Sequence, residues 1–440
     1  MSGESPRFDA ATTAAPPSRG ARLEIRRATL SNGLVVLGSE NRVHPSVVMR
    51  LSLRAGAVLN HPQRAGLATL TASGLTRGTR SRTFDDLNET IDGAGMSLSS
   101  SAGRHLAGVS SRCLAEDLDL AIELMADVTR NPIFPEAEIE RLRAQVLTGL
   151  RQADDDTGAV ADRHFRERLY PSGHPYRLRP HGYQETVSAL RASDLAEFHA
   201  QSYGPGQAFF VVVGDVDFEA MVARLEAAFG DWRGASIPAA ATAAVEAPPP
   251  PEAGQVDVVL AGKTQSDLVL GRPGIPRRHP DYYALRLANL IFGRLGMMGR
   301  LGDTVREAKG LAYSVYSELD ANVGPGPWAV RAGVNPGNVD AALEGIREEL
   351  HRLRDGGVTE DELQRGQRYS TGSLVLQLET NDGVAGVIQD IEFFGLGLDF
   401  IERYPSIVNG LTLEAVNQAA ATHLPRLEET VRVVAGPQRP

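Results

Sequence analysis

The order of apolar and polar residues divides this chain into two halves that follow the same plan. Each half opens with an apolar strand, at residues 47–56 in the first half and at residues 266–274 in the second. Each half closes with a short helix followed by a strand that we predict to be buried, at residues 209–216 and 431–437. We therefore interpret the chain as an internal repeat.

Pairs of helices lie between these strands in both halves. A helix with charged and apolar positions in alternation is predicted at residues 114–128 and again at residues 338–350. Another helix follows in each half, starting near Pro135 and Thr359, and the acidic residues of its first turn suit the helix dipole. Because the strands and helices lack the regular rhythm of a doubly wound sheet, we predict an α+β fold. Each half would form a mostly antiparallel sheet with helices packed on it, and the halves would close like a clamshell.

The clearest boundary in the chain is a segment of small residues and prolines at residues 239–254. Four consecutive prolines, starting at Pro248, favour a semi-rigid extended linker. We predict a first domain at residues 22–238 and a second domain at residues 255–440. Residues 1–21 are rich in Ser, Ala, Pro and Gly, and we interpret them as a disordered leader.

Composition and charge exclude several classes of protein. The chain has 440 residues, and its 42% hydrophobic and 23% charged content is that of a soluble globular protein. Its net charge of −10 argues against a general nucleic-acid binder, because neutralising phosphates requires basic patches. Cys113 is the only cysteine, which excludes a disulfide framework and a cysteine-based zinc site, and suits the cytoplasm and the periplasm equally. No apolar run approaches the roughly 18 residues of a membrane span, and the first 22 residues lack the apolar core of a signal peptide.

One motif carries a specific resemblance. Residues 292–317 read F-G-R-L-G-M-M-G-R-L-G-D-T-V-R-E-A-K-G-L-A-Y-S-V-Y-S. This glycine-rich loop followed by R-E-x-x-G-L-A-Y resembles the C-terminal half of the pitrilysin, insulin-degrading enzyme and mitochondrial processing peptidase superfamily of inverted zincins. The L-Y-P-S-G-H-P-Y motif at residues 169–176 continues the resemblance, which covers nearly the whole chain. The chain is most similar to the inactive, zinc-less subunit of a bacterial heterodimeric member.

The zinc-binding motif is where the chain departs from that superfamily. The resemblance implies a His-x-x-Glu-His motif on one helix and a further Glu on a later helix. Adjacent helical turns would point the two imidazoles at one zinc ion, and the intervening Glu would activate the bound water. This sequence has Thr69 and Ser73 at the two His positions, Ala72 at the Glu position and Gly149 at the distal Glu position. None of these residues is a strong zinc ligand, so we expect no zinc ion there.

Arg306 and Tyr313 match the Arg and Tyr that the superfamily places near the scissile bond. A guanidinium and a phenol both donate hydrogen bonds to a peptide carbonyl and to the oxyanion that it becomes. In isolation, Arg306 would be an ordinary helix-surface arginine and Tyr313 a core aromatic residue. Their setting behind a glycine-rich loop favours a catalytic role, which needs a zinc-bound water from elsewhere.

Two further segments are candidate substrate-binding elements through the same resemblance. Gly293, Gly296 and Gly299 belong to the glycine-rich loop, where flexibility for peptide capture and a plain helix-breaking turn are about equally good interpretations. Leu98 and Ser99 lie in an alternating stretch where the superfamily has an edge strand that pairs with extended substrate. A purely structural strand is an equally good interpretation of that stretch.

These features predict a non-catalytic subunit of a heterodimeric zinc metallopeptidase that cleaves peptides or unfolded segments. We expect a homologous partner subunit to bind the zinc ion. This chain would hold no cofactor and would be inactive alone, because water needs a metal or a strong base to attack an amide. The alternative is a stand-alone scaffold or peptide-binding protein of the same fold, like the core subunits of the respiratory bc1 complex. Retention of both Arg306 and Tyr313 argues against the alternative, since a structural role does not require them.

Overall fold

The computed structural model of the chain describes residues 23–234 and 245–439. The predicted leader at residues 1–21 and the first part of the predicted linker lie outside the described residues. The rest of that linker, residues 245–253, has no regular secondary structure, and a strand begins at Gly254. Within the described ranges, no helix is both long enough and apolar enough to cross a membrane.

Six strands form the sheet of the first half. Their order across the sheet is β1-β2-β6-β3-β5-β4, and all neighbouring strands are antiparallel except the parallel pair β2 and β6. The strands are β1 (Arg26–Thr29), β2 (Val35–Glu40), β3 (Ser46–Leu53), β4 (Ser97–Ala102), β5 (Ala107–Leu114) and β6 (Ala208–Gly214).

Five strands form the sheet of the second half, in the order β7-β11-β8-β10-β9. Here too a single pair, β7 and β11, is parallel. Apart from the additional β1, the two sheets correspond strand for strand, so the predicted repeat and the predicted mostly antiparallel sheets are confirmed. The strands are β7 (Gly254–Val259), β8 (Ser266–Pro273), β9 (Ala312–Ala321), β10 (Pro325–Val334) and β11 (Val431–Gly436).

The helices also follow the predicted plan. Pro135 and Thr359 immediately precede two of the long helices, and Thr359 forms a reciprocal capping box with Glu362. In the first half the helices are α1 (Leu67–Gly74), α2 (Phe84–Gly93), α3 (Leu118–Arg130), α4 (Glu136–Asp155), α5 (Thr157–Leu169), α6 (Gln184–Ala189), α7 (Ala192–Ser202) and α8 (Phe218–Phe229). In the second half they are α9 (Tyr282–Gly293), α10 (Gly299–Leu301) continued by a π-helix (Gly302–Ala308), α11 (Val339–Gly356), α12 (Glu360–Gln377), α13 (Asn381–Phe394), α14 (Phe400–Asn409) and α15 (Leu413–His423).

Each sheet packs one face against helices of its own half. In the first half this core contains Phe210, Phe229 and Trp232, and in the second half it contains Phe292 and Trp328. The two tryptophans of the chain therefore lie in different cores. All five side chains are buried.

The opposite face of each sheet is covered by a helix from the other half. α13 packs on β2, β3 and β6, while α5 packs on β8 and β11. Along β6, alternate residues belong to the two sides, since Phe210 faces the first core and Phe209 and Val211 face α13. We call this arrangement the helix exchange, and it explains why β6 is apolar at every position and why β11 is apolar except at Arg432. Its apolar contacts join Val384, Ala385, Ile388 and Phe393 to the first sheet, and Val160, Ala161, Phe165 and Leu169 to the second.

Polar contacts hold the exchanged helix α5 in register. Asp162 of α5 pairs with Arg331 of β10 at 2.6 Å and with Arg166 at 3.1 Å. Burial acts to raise the pKa of Asp162, but the charges and hydrogen bonds of the two arginines outweigh it and lower that pKa. The carboxylate therefore stays ionised between the halves. Removing it would take an ion-pair partner from both Arg166 and Arg331.

The L-Y-P-S-G-H-P-Y motif lies at this joint between the halves. Tyr170 OH donates to the carbonyl of Pro325 at 3.1 Å, and Tyr176 OH accepts from Gly324 N–H at 3.0 Å. The Tyr176 hydroxyl is also 2.7 Å from Nε2 of His105. Burial, aided by neighbouring arginine charges, lowers the pKa of His105 to about 4, so this ring is neutral at pH 7. The motif thus fixes the turn between β9 and β10 to the first half.

Because each half covers the sheet of the other, we expect Phe165→Ala to destabilise both halves together. Phe165 is fully buried in the contact between α5 and the second sheet, and truncating a buried Phe costs about 3–5 kcal/mol. Urea unfolding followed in single-tryptophan variants, Trp232→Phe and Trp328→Phe, would report on one core each. Both midpoints should shift by the same amount. The control Val375→Ala changes an exposed side chain and should leave both unfolding midpoints unchanged. A midpoint shift reported only by the tryptophan of the second core would contradict the helix exchange.

Candidate functional site

Helix α1 carries three of the positions at which the resemblance to the inverted zincins implies zinc-site residues. It begins after Gly66, whose φ of 98° and close approach to His181 O exclude a side chain at that position. Thr69 is buried, and its Oγ1 donates to Pro180 O at 2.7 Å. Ala72 is fully buried, whereas Ser73 is half-buried. The predicted helix is confirmed. The hydroxyl of Thr69, the buried one of the two at these positions, is already hydrogen-bonded within the chain.

The residues at these positions do not fit a zinc ion. Gly149 lies on the exposed face of α4, and no atom comes within 4 Å of the position that a Cβ would take. Two hydroxyls, a methyl group and a glycine offer no imidazole, thiolate or carboxylate. Within residues 23–234 and 245–439, no cluster of His, Cys, Asp and Glu side chains close enough to share an ion includes these positions. We therefore derive no step through a metal held by this chain.

The glycine-rich loop is shaped by close packing. A Cβ on Gly293 would come within 2.3 Å of Ser317 Oγ on β9, and a Cβ on Gly299 would come within 2.4 Å of Ile291 O. Gly296 has a φ of 63° and open space around it. The loop thus turns from α9 to α10 against β9, in agreement with the interpretation of a helix-breaking turn. A role in peptide capture stays a prediction.

Met298 connects this loop to Arg306. It is one of two non-glycine residues with positive φ among the described residues, at 76°, a conformation that costs free energy unless its contacts hold it. Its Sδ accepts from Val315 N–H of β9 at 3.4 Å and lies 4.0 Å from Nη1 of Arg306. The thioether thus occupies the outer edge of β9 and touches the guanidinium.

Arg306 lies on the π-helix Gly302–Ala308 rather than on a regular α-helix. Such segments are rare and occur frequently at functional sites. Thr304 Oγ1 donates to the buried carboxylate of Glu349 at 2.7 Å, which fixes the segment to α11. The guanidinium itself is half-buried, and its only ion pair among the described residues is a long one, 3.5 Å, with Glu307.

Tyr313 is the second residue of β9, the edge strand of the second sheet. Its side chain is 82% exposed, so the alternative of a core aromatic residue is wrong. No hydrogen bond of its hydroxyl to the rest of residues 23–234 and 245–439 is present. The hydroxyl of Tyr313 is therefore available to a group outside the described chain.

The predicted site residues fall on two different sheet edges. Leu98 and Ser99 lie on β4, which confirms an edge strand there; Leu98 packs on the first core, and Ser99 Oγ is 2.9 Å from Ser110 Oγ. α1 packs beside β4, whereas the π-helix packs beside β9. In the described ranges no hydrogen bond or ion pair joins Arg306 or Tyr313 to α1, α4 or β4. The donors and the empty zinc positions of this chain are thus not in direct polar contact.

One anchoring contact was not anticipated from the sequence. Arg300 forms two hydrogen bonds of 2.6 Å with Glu362 of α12 and a third of 2.9 Å with Gly357 O. Burial acts most strongly on the pKa of Glu362 and raises it, but the hydrogen bonds from Arg300 and Thr359 and the charge of Arg300 lower it to about 2. This pair fixes the loop that leads to Arg306. The sequence signal was the arginine in G-R-L, whose partner lies 62 residues away.

The fold defines the class of this protein: a two-domain chain of peptidase-like architecture. A family model described as "Insulinase (Peptidase family M16)" matches residues 35–175, and one described as "Peptidase M16 inactive domain" matches residues 189–369. The chain belongs to peptidase family M16.

Similar proteins agree with this assignment. A Streptomyces coelicolor protein named uncharacterized zinc protease is 29% identical over 81% of this chain and 77% of its own length. The crystal structure of a peptidase M16 inactive domain from Pseudomonas fluorescens has a TM-score of 0.87 and 28% identity, and covers 94% of this chain and 98% of that one. A protease from Helicobacter pylori has a TM-score of 0.85 at 20% identity, covering 94% and 100%, which shows the fold alone.

We expect Arg300→Met to destabilise the chain near neutral pH and to have less effect in acid. The folded-state pKa of Glu362 lies below its ordinary value of 4.5, so the ion pair stabilises the fold above pH 4.5 and this stabilisation is lost as the pH falls toward 2. At pH 7 the loss should be about 1–2 kcal/mol, since the pair is partly solvated.

Urea unfolding of wild type and Arg300→Met at pH 7, 4 and 3 would measure the difference. Arg365→Met is the matched control, because Arg365 pairs with Asp361 on the exposed face of the same helix. An Arg300→Met effect that is equal at every pH would contradict the assignment of the ion pair.

Proposed function

We propose that this chain is the non-catalytic subunit of a heterodimeric zinc metallopeptidase. It contributes Arg306 and Tyr313 to substrate binding and oxyanion stabilisation in the active site of a homologous partner. The observation that carries the proposal is the exposure of Tyr313, which presents a phenol from a sheet edge to a group outside the described residues. A residue kept for packing alone would bury its ring.

The surroundings of Arg306 support the same role. A π-helix, an anchored Thr304 and the strained Met298 hold its guanidinium, yet no strong ion pair neutralises it within the described residues. Holding a side chain through several such contacts preorganises it for a charge that develops in a reaction. If the chain were purely structural, replacing Arg306 would change its folding stability little, because the side chain makes only one long ion pair among the described residues.

The empty helix α1 supports a division of labour between two chains. Small, uncharged residues fill the ligand positions, and Thr69 donates to a carbonyl of its own chain. Replacing all the ligands avoids a half-site of buried, unpaired polar groups. The partner would supply the zinc-bound water. Arg306 and Tyr313 would donate to the carbonyl oxygen of the scissile bond and hold the negative charge that forms on it.

Peptides or unfolded segments are the substrates that this arrangement suits. The edge strand β4 offers unpaired backbone groups beside α1, and backbone pairing tolerates many sequences. Leu98 and Ser99 would lie in that pairing, and Gly296 of the loop would approach the peptide from the second half.

The test is to co-express this chain with a homologous family member that carries His-x-x-Glu-His and to measure cleavage of unstructured peptides. We expect a one-to-one complex with zinc-dependent activity and no cleavage by this chain alone. Arg306→Ala and Tyr313→Phe should each lower kcat/KM by about 10²-fold, the effect of removing one oxyanion donor. Arg365→Ala and Tyr369→Phe, which alter an exposed arginine and an exposed tyrosine of α12, should leave it unchanged.

Two results would overturn the proposal. If Arg306→Ala and Tyr313→Phe leave the activity of the complex intact, the chain acts as a scaffold or peptide-binding protein of this fold. If the chain alone cleaves peptides in a zinc-dependent manner, it is not a non-catalytic subunit.

A further inference from the structure

We propose that His279, Asp281 and His423 form a binding site for a divalent transition-metal ion such as Zn²⁺, Ni²⁺ or Co²⁺. One ring nitrogen of each histidine and one carboxylate oxygen of Asp281 all lie within 4.8 Å of one another. His423 Nε2 is 2.7 Å from Asp281 Oδ2, and His279 Nδ1 is 3.9 Å from the same oxygen. The two rings stand edge to face with their centroids 5.0 Å apart.

The fold brings these three side chains together from distant parts of the sequence. Asp281 immediately precedes α9, and His423 is the last residue of α15, which packs against α9. The turn that carries His279 is fixed by two hydrogen bonds, from Asp281 N–H to His279 Nδ1 at 3.1 Å and from Tyr282 N–H to His279 O at 3.0 Å. Asp281 and His423 therefore lie at the ends of helices, and His279 lies on the turn that leads into α9.

The charges around Asp281 favour a cation. Among the described residues Asp281 pairs with no Arg or Lys, and its only ionic partners are the two imidazoles. The carboxylate therefore lacks a permanent counter-charge from an Arg or Lys among the described residues. Two imidazoles and one carboxylate suit zinc, nickel and cobalt, whereas calcium and magnesium prefer oxygen ligands alone.

The spacing allows an ion to enter with small movements of the side chains. Bonds of about 2.0–2.1 Å around one ion place tetrahedral ligand atoms roughly 3.3 Å apart. The contact of Asp281 with His423 would lengthen slightly, and its contact with His279 would shorten. Coordination through Nδ1 of His279 would replace the hydrogen bond from Asp281 N–H. Asp281 is 46% exposed at its side chain and His423 16%, so water can complete the coordination from one side.

An ion at this site would link the start of α9 to the end of α15 and stabilise the second half. The site stands apart from the proposed function, because none of its residues belongs to α1 or to the Arg306 and Tyr313 pair. The expectation that the partner binds zinc concerns the peptidase site. The present site would give this chain a metal ion of its own at a different place.

The experiment is a titration of the tag-free chain with CoCl₂, followed by visible absorption, together with thermal unfolding in ZnCl₂. We expect one Co²⁺ per chain and an increase in Tm of a few degrees with Zn²⁺. His423→Gln and His279→Gln should each weaken Co²⁺ binding at least tenfold. His351→Gln is the matched control, because His351 pairs with Asp355 at 3.0 Å without a third ligand, and it should bind Co²⁺ as the wild type does.

The proposal is overturned if the wild type shows no saturable Co²⁺ absorption, or if binding persists in the double variant His279→Gln/His423→Gln. Binding that disappears in His351→Gln would also overturn it. X-ray absorption of the Co²⁺-loaded wild type tests the site without any substitution. Two imidazole nitrogens and a carboxylate oxygen are expected, and a single imidazole would contradict the site.

Discussion

The burial of both faces of two sheets by one chain is the constraint on which the structure depends. A sheet whose central strands carry apolar side chains on both faces must be covered on both sides. The helices of each half cover one face, and the helix exchange of α5 and α13 covers the other. Neither sheet has both faces covered without the other half, so the joint between the halves contains hydrophobic core.

Polar groups specify how the two halves meet. Asp162 and Arg331 place α5 against β10, and Tyr170 and Tyr176 bind the turn between β9 and β10. Buried polar groups of this kind cost free energy unless every partner is present, so they select one register of α5 on the sheet. β4 and β9 are the outer edges of the two sheets that meet at this joint. The candidate functional residues all lie on or beside those two edges.

The predictability of the site differs from residue to residue. The α1 helix and the helix start at Thr359 follow from residue type and spacing, and the structure shows both. The interpretation of Thr69 and Ala72 as lost zinc-site positions depends on the family resemblance and stays a prediction. The setting of Arg306 was not predictable, because a π-helix and the contact with Met298 depend on how α10 packs against β9 and α11. The choice between a buried and an exposed Tyr313 was equally open, since one aromatic residue at the start of a strand suits either side.

The sequence by itself determined the repeat, the main strands and helices that open and close each half, and the residue types at the α1 positions and at Arg306 and Tyr313. These features depend on the kind of residue at each position and on the period of apolar residues, which are local properties. Only the tertiary structure decided that the halves exchange α5 and α13, that Tyr313 faces outward, and that His279 meets His423. Each of these depends on contacts between residues far apart in the chain, whose free energy is set by the packing of complete surfaces and not by any one segment.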